Sequence, residues 1–141
     1  MAIDYKALLD NPKVRFVLGR RRFAKAAEDN DYLLDLISEE RKTLLTLSND
    51  DGGNFISEWC GLYFVTSTEY EPEGPFESLD EALSDERFSL EIPEPEIRSE
   101  VVPLPTLKRI GKAVACGEGE SVFINGRQYV LVGDNLVEEA R

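Results

Sequence analysis

The chain contains no histidine and only two cysteines, Cys60 and Cys116, among its 141 residues. Without histidine it has no Ser-His-Asp or Cys-His catalytic site and no histidine proton relay. Two thiols cannot complete a four-ligand zinc site from the side chains that zinc prefers. No basic residue adjoins either cysteine to activate it, so we expect both to be reduced, buried, small hydrophobic residues. A disulfide between the two cysteines is the alternative.

Long apolar runs are also missing. No segment approaches the eighteen or so apolar residues that a membrane-spanning helix needs. The first residues, Met1–Lys6, lack the cationic start and apolar core of a signal peptide, which predicts a cytoplasmic protein. A length of 141 residues fits one domain, residues 1–141, with a helical part over 1–47 and a mixed strand and helix part over 54–141.

Negative charge is abundant, and it is concentrated in the middle of the chain. From Leu47 to Leu107 there are fifteen Asp and Glu residues against two cations, Arg87 and Arg98. The flanking segments are nearly neutral, so this central acid block carries the whole formal net charge of -12. Such a charge repels nucleic acid and anionic lipid and favours a basic partner.

A basic stretch in the N-terminal part opposes this trend. Its six cations do not share one face at helical spacing, and they are Lys13, Arg15, Arg20, Arg21, Arg22 and Lys25. We expect a solvated helix surface that partly pairs with the acid block. A nucleic-acid contact is the alternative, and the acidity of the chain as a whole argues against it.

The N-terminal part reads as three helices. Ile3–Leu9 forms the first. Asn11 is an N-cap and Pro12 the first helical residue of the second, which continues to Ala27. Leucine and isoleucine at helical spacing predict the third over Tyr32–Leu47.

Strand patterns begin after a Gly- and Asp-rich break. Phe55–Trp59 and Leu62–Ser67 are rich in aromatic and β-branched residues, which favours two strands. Tyr70–Pro75 is predicted as a loop. Ser78 and Glu81 have the spacing of a capping box, in which each side chain accepts from the other residue's amide, at the start of a short helix.

The C-terminal part contains a hairpin signal at Asn125-Gly126, because this pair suits a tight type I′ turn between Ser121–Ile124 and Gln128–Val132. Three further elements are predicted: an edge strand near Ile97–Val102, a helix over Pro105–Cys116 and a last helical turn over Asn135–Ala140. Helices followed by hairpins indicate an α+β fold, with N-terminal helices packed on a mostly antiparallel sheet and a C-terminal β-hairpin.

No motif predicts a cofactor or a metal. Asn49–Glu58 resembles a calcium loop in composition, but its first ligand position falls on Leu47, which has no side-chain oxygen. Gly117-Glu118-Gly119-Glu120 lacks the third glycine of a dinucleotide fingerprint. Glu94 and Glu96 lie on a proline-spaced stretch that favours solvated carboxylates without catalytic perturbation.

Three functional hypotheses follow. The first is a non-enzymatic acidic interaction module that binds a basic protein, either as an immunity-type inhibitor or as a chaperone-like protein. The second is a carboxylate-dependent enzyme, with or without magnesium, and the third is a structural homo-oligomer such as a homodimer. For the first hypothesis the predicted partner-binding residues surround one acidic loop: Glu69, Tyr70, Glu71, Glu73, Phe76 and Glu77.

Overall fold

The described part of the chain forms five helices and eight strands. The computed structural model describes residues 3–49, 52–67, 72–85, 96–114 and 119–139. The helices are α1 Tyr5–Asp10, α2 Pro12–Glu28, α3 Asn30–Glu40, α4 Leu79–Leu83 and α5 Leu104–Val114. The strands are β1 Lys42–Asn49, β2 Gly52–Trp59, β3 Leu62–Ser67, β4 Glu73–Phe76, β5 Glu96–Arg98, β6 Ser121–Ile124, β7 Arg127–Val132 and β8 Asn135–Glu138.

The eight strands form one sheet in the order β4-β3-β2-β1-β5-β6-β7-β8. Neighbouring strands are antiparallel except β5 and β6, which run parallel. The predicted α+β class, the mostly antiparallel sheet and the C-terminal hairpin are therefore confirmed. The described helices include none with the length and hydrophobicity to cross a membrane.

The starts of the N-terminal helices follow from their capping residues. Asn11 accepts a hydrogen bond from the Lys13 amide at 2.9 Å and Pro12 opens α2, as predicted. Asp29 caps α3 by accepting from the Asp31 amide at 3.0 Å. Gly19 interrupts α2 with φ 72° and ψ 178°, so the helix consists of two segments that meet at a kink.

The helical part ends earlier than predicted. The expected helix over Tyr32–Leu47, and with it the helical region 1–47, is wrong beyond Glu40, because β1 begins at Lys42. Leu45 and Leu47 are fully buried on one face of this strand, a spacing of two rather than three or four. A bulge between Thr43 and Leu45 adds a residue and disguises the alternation in the sequence.

Two C-terminal predictions are also wrong. The strand near Ile97 is not an edge, because β5 lies between β1 and β6. Residues 135–138 form strand β8, which pairs with β7, instead of a helical turn. The hairpin is confirmed: Asn125 and Gly126 have φ of 50° and 84° and connect β6 directly to β7.

The sheet separates two hydrophobic clusters. Consecutive residues of β3 point to opposite faces, so Phe64 packs with α1, α2 and α3 while Val65 packs with α4 and α5. Leu8, Val14 and Leu33 are buried in the first cluster. Both faces of the β2–β3 region are therefore covered by helices, and β4 beside it forms one end of the sheet.

Candidate functional site at the acidic edge

Of the predicted binding residues, the structure describes three, which lie on strand β4 or directly before α4. Glu73 and Phe76 lie on β4, and Glu77 follows directly. Glu69, Tyr70 and Glu71 lie outside the described residues. The predicted loop over Tyr70–Pro75 is wrong from Glu73 onward, because that segment belongs to the edge strand.

The path of β4 depends on glycine. Phe76 pairs with Tyr63 and Glu73 with Val65, with an irregular register between them. Gly74 has φ 147°, and a Cβ there would stand 2.9 Å from the Phe64 ring and 2.9 Å from the Tyr63 carbonyl oxygen. Only a residue without a side chain fits so close to β3.

The outer edge of β4 is partly occupied by the N-terminus. The Asp4 amide donates to the Gly74 carbonyl oxygen at 2.8 Å, and Ile3 makes a parallel bridge to Gly74. Pro75 has no amide hydrogen to offer. The edge therefore presents few backbone groups to an incoming strand, and most of its accessible groups are side chains.

Helix α4 adds carboxylates through its capping residues. Ser78 accepts from the Glu81 amide at 3.1 Å, as the capping box predicts. The Glu81 carboxylate accepts from the Glu77 amide at 3.0 Å, not from the Ser78 amide that was expected. This arrangement fixes Glu77 and Glu81 beside each other at the N-terminus of α4.

We call Glu73, Glu77, Asp80 and Glu81 the acidic edge. Glu77, Asp80 and Glu81 are exposed and Glu73 is half-buried. Arg109 of α5 compensates one charge, because its Nη2 lies 3.1 Å from Asp80 Oδ1. Phe76 is half-buried and packs on the α4–α5 side of the core, so its ring anchors β4 to that side of the sheet.

A cleft of about 330 Å³ lies between α4 and α5, next to the acidic edge. Leu83, Ile110, Ala113 and Val114 line its apolar side, and the Asp80–Arg109 pair is at its polar side. Its described lining contains no cysteine and no pair of carboxylates. The cleft offers hydrophobic contact with one ion pair.

The alternative of a carboxylate-dependent enzyme with magnesium concerns Asp50, Asp51, Glu94 and Glu96, of which the structure describes Glu96. Glu96 pairs with Arg98, while Asp50, Asp51 and Glu94 lie outside the described residues. Among the residues that the structure describes, no three His, Cys, Asp or Glu side chains are placed to hold a metal ion.

Cys60 is a free, half-buried thiol in the turn between β2 and β3. Burial raises its pKa from 9.0 to about 11, with Glu40 and Glu58 acting in the same direction and Arg22 opposing them. The thiol is therefore protonated at neutral pH and a poor nucleophile. Cys116 lies outside the described residues.

The basic stretch pairs differently from the prediction. Arg22 Nη1 lies 3.2 Å from Glu40 Oε2, and Arg15 Nη2 lies 3.7 Å from Asp10 Oδ1. Both acids belong to the N-terminal helices, so the expected pairing with the acid block is wrong for these two cations. Sequence reasoning also missed that Phe16 is exposed, because helical spacing alone does not say which face of α2 packs.

Comparison with protein-family models, curated proteins and solved structures found no match to this chain.

Proposed function

We propose that the protein is a non-enzymatic interaction module that binds a basic protein partner through the acidic edge. The observation that carries this proposal is the grouping of four carboxylates on one edge strand and the helix that follows it, with Arg109 as a compensating charge. Such a group attracts a cationic surface and orients it during the encounter. An immunity-type inhibitor of a basic toxin and a chaperone-like protein are the two forms that fit, with the cytoplasm as the compartment.

Recognition would use side chains rather than strand addition. The backbone of β4 is engaged at Gly74 by the N-terminal segment, and Pro75 donates no hydrogen bond. Charge supplies orientation, and an aromatic anchor would supply most of the affinity. Tyr70 is the proposed anchor, while the half-buried Phe76 packs β4 against the core.

Charge reversal at Glu77 tests the proposal. The wild type and a Glu77→Lys variant would be used to capture partners from the native lysate at low and high salt. We expect the wild type to retain a basic protein at low salt, to release it at high salt, and the variant to retain much less. Tyr70→Ala should weaken the same capture at low salt, where the wild type retains the partner.

Glu39→Lys is the matched control, because Glu39 is an exposed carboxylate on α3 and its reversal changes the net charge equally. The control should capture as well as the wild type. If Glu77→Lys and Glu39→Lys lose capture equally, the effect comes from the overall charge, which would contradict the acidic edge as the site. Recovery of no basic protein at any salt would contradict the proposal itself.

A further inference from the structure

Helix α2 carries an exposed aromatic ring on its first segment. The Phe16 side chain is 89% exposed and Val17 beside it is 42% exposed. Phe16 is the one aromatic among the exposed large hydrophobic residues of the described chain. Exposed aromatic side chains with arginine beside them are typical of the energetic centres of protein interfaces.

Unpaired cations accompany this ring. Arg20 and Arg21 directly follow the kink at Gly19, and Lys13 precedes Phe16 by one turn. All three are exposed, and within the described ranges none of their side chains makes a hydrogen bond or ion pair, unlike those of Arg15 and Arg22. We call Phe16, Val17, Arg20 and Arg21 the α2 patch.

The α2 patch is held by a fixed scaffold. On the inner side of the first segment, Val14 and Leu18 are buried in the core. At the kink, Arg22 donates to the carbonyl oxygens of Val17 at 2.7 Å and Leu18 at 3.2 Å while pairing with Glu40. A ring presented on a fixed backbone loses less conformational entropy on binding than one on a mobile loop.

We infer that the α2 patch docks an acidic segment of another protein that carries at least one large apolar side chain. The apolar side chain would pack on Phe16 and Val17, and its neighbouring carboxylates would pair with Arg20 and Arg21. This occupant differs in charge from the basic partner of the acidic edge, so the inference stands independently of the proposed function.

The charge of the whole molecule opposes a long polyanion more than it opposes a short acidic segment. A net charge of -12 repels an extended phosphate backbone or an anionic bilayer at long range. A single exposed aromatic is also a poor platform for stacking successive bases. A short acidic peptide meets the cations within a Debye length and needs little of the surrounding surface.

The test selects short random peptides displayed on phage against the immobilised full chain. Basic peptides that lose binding to Glu77→Lys are assigned to the acidic edge. Among the remaining enriched peptides we expect Asp or Glu combined with an apolar residue. Synthesised and measured by fluorescence anisotropy, they should bind Phe16→Ala and Arg20→Glu at least about tenfold more weakly than wild type. Their binding should be unchanged by Glu77→Lys, which separates this surface from the acidic edge.

Two matched controls accompany these variants. Val137→Ala removes another exposed apolar side chain, and Lys112→Glu reverses another exposed cation on α5. Both should bind the peptides like wild type, and thermal unfolding should show that Phe16→Ala is folded.

Several results would overturn the inference. These are the absence of acidic peptides with an apolar residue from the enriched pool, acidic peptides whose binding is insensitive to Phe16→Ala, or no more enrichment of acidic peptides with the wild type than with Phe16→Ala. Tighter, Phe16-dependent binding of a single-stranded oligonucleotide or of anionic vesicles would replace the occupant with a polyanion. Concentration-dependent dimerisation that Phe16→Ala abolishes in sedimentation would replace it with a second copy of the chain.

Discussion

At the scale of single residues, Cys60 shows how local surroundings decide reactivity. It occupies a two-residue turn with φ 56°, followed by Gly61 with φ 75°. Sequence reasoning correctly expected an unreactive thiol but placed it in the core, whereas the turn leaves it half-buried. The nearby carboxylates of Glu40 and Glu58 add to the effect of burial and outweigh Arg22.

The raised pKa predicts slow alkylation of Cys60. With the pKa at about 11 instead of 9.0, the thiolate population at pH 8 is lower by about a hundredfold. In a Cys116→Ser background, we expect iodoacetamide to react about a hundredfold more slowly with the folded chain than with the urea-unfolded chain. The folded rate should keep rising through about pH 11, whereas a plateau near pH 9 would show an unperturbed thiol.

The same group links stability to pH. Because the folded pKa lies above the unfolded one, the unfolded chain binds fewer protons than the folded chain between pH 9.0 and about 11. Stability contributed by Cys60 is therefore present below pH 9.0 and is lost as the pH rises through that window.

At the scale of elements, one arginine caps the carbonyl groups at the kink in α2. Gly19 stops the first helical segment, and Arg22 then donates to the freed carbonyl oxygens of Val17 and Leu18. Its other contact, Glu40, also accepts from the Trp59 indole nitrogen at 3.3 Å. Arg22 thus connects both segments of α2 to α3 and to the end of β2.

Removal of Arg22 should therefore destabilise the protein. We expect Arg22→Ala to lower the free energy of unfolding by about 1–2 kcal/mol, because two carbonyl groups and one carboxylate lose a charged donor that is partly screened by solvent. Arg21→Ala, which removes an exposed cation without a described partner, should change it by less than about 0.5 kcal/mol. Urea denaturation of both variants measures the difference, and equal effects would contradict the capping role.

Local signals and long-range pairing explain which elements were predictable. Asn11-Pro12, Ser78 with Glu81 and Asn125-Gly126 each depend on a few neighbouring residues, and all three were located correctly. Strand β1 depends on β2 and β5, and β5 lies some fifty residues further along the chain. Leucines that also fit a helix could not reveal that pairing.

The same reasoning applies to the candidate site. The sequence indicated an acidic segment with Glu73 and Glu77, but not that Asp80 and Glu81 lie beside them. That grouping depends on the Glu81 contact with the Glu77 amide and on β4 forming one end of the sheet. Charge counts give a total along the chain, and only the fold shows which carboxylates share a surface.

At the scale of the whole molecule, the net charge of -12 opposes folding. Like charges are closer together in the folded chain than in the unfolded one, so their repulsion destabilises the compact state. The described ion pairs that oppose it, such as Arg109–Asp80 and Arg127–Glu138, are exposed. Exposed pairs contribute little individually, which leaves repulsion as the larger electrostatic effect.

Screening that repulsion should stabilise the protein. Between about 10 mM and about 0.15 M sodium chloride the Debye length falls from about 30 Å to about 8 Å. We expect the Tm to rise by about 3–5 °C, which corresponds to roughly 1 kcal/mol for a chain of this size. A Glu39→Gln, Glu77→Gln double variant carries two fewer negative charges and should respond less to salt in the same calorimetric series. A Tm that falls with salt would mean that the ion pairs outweigh the repulsion, because screening weakens both.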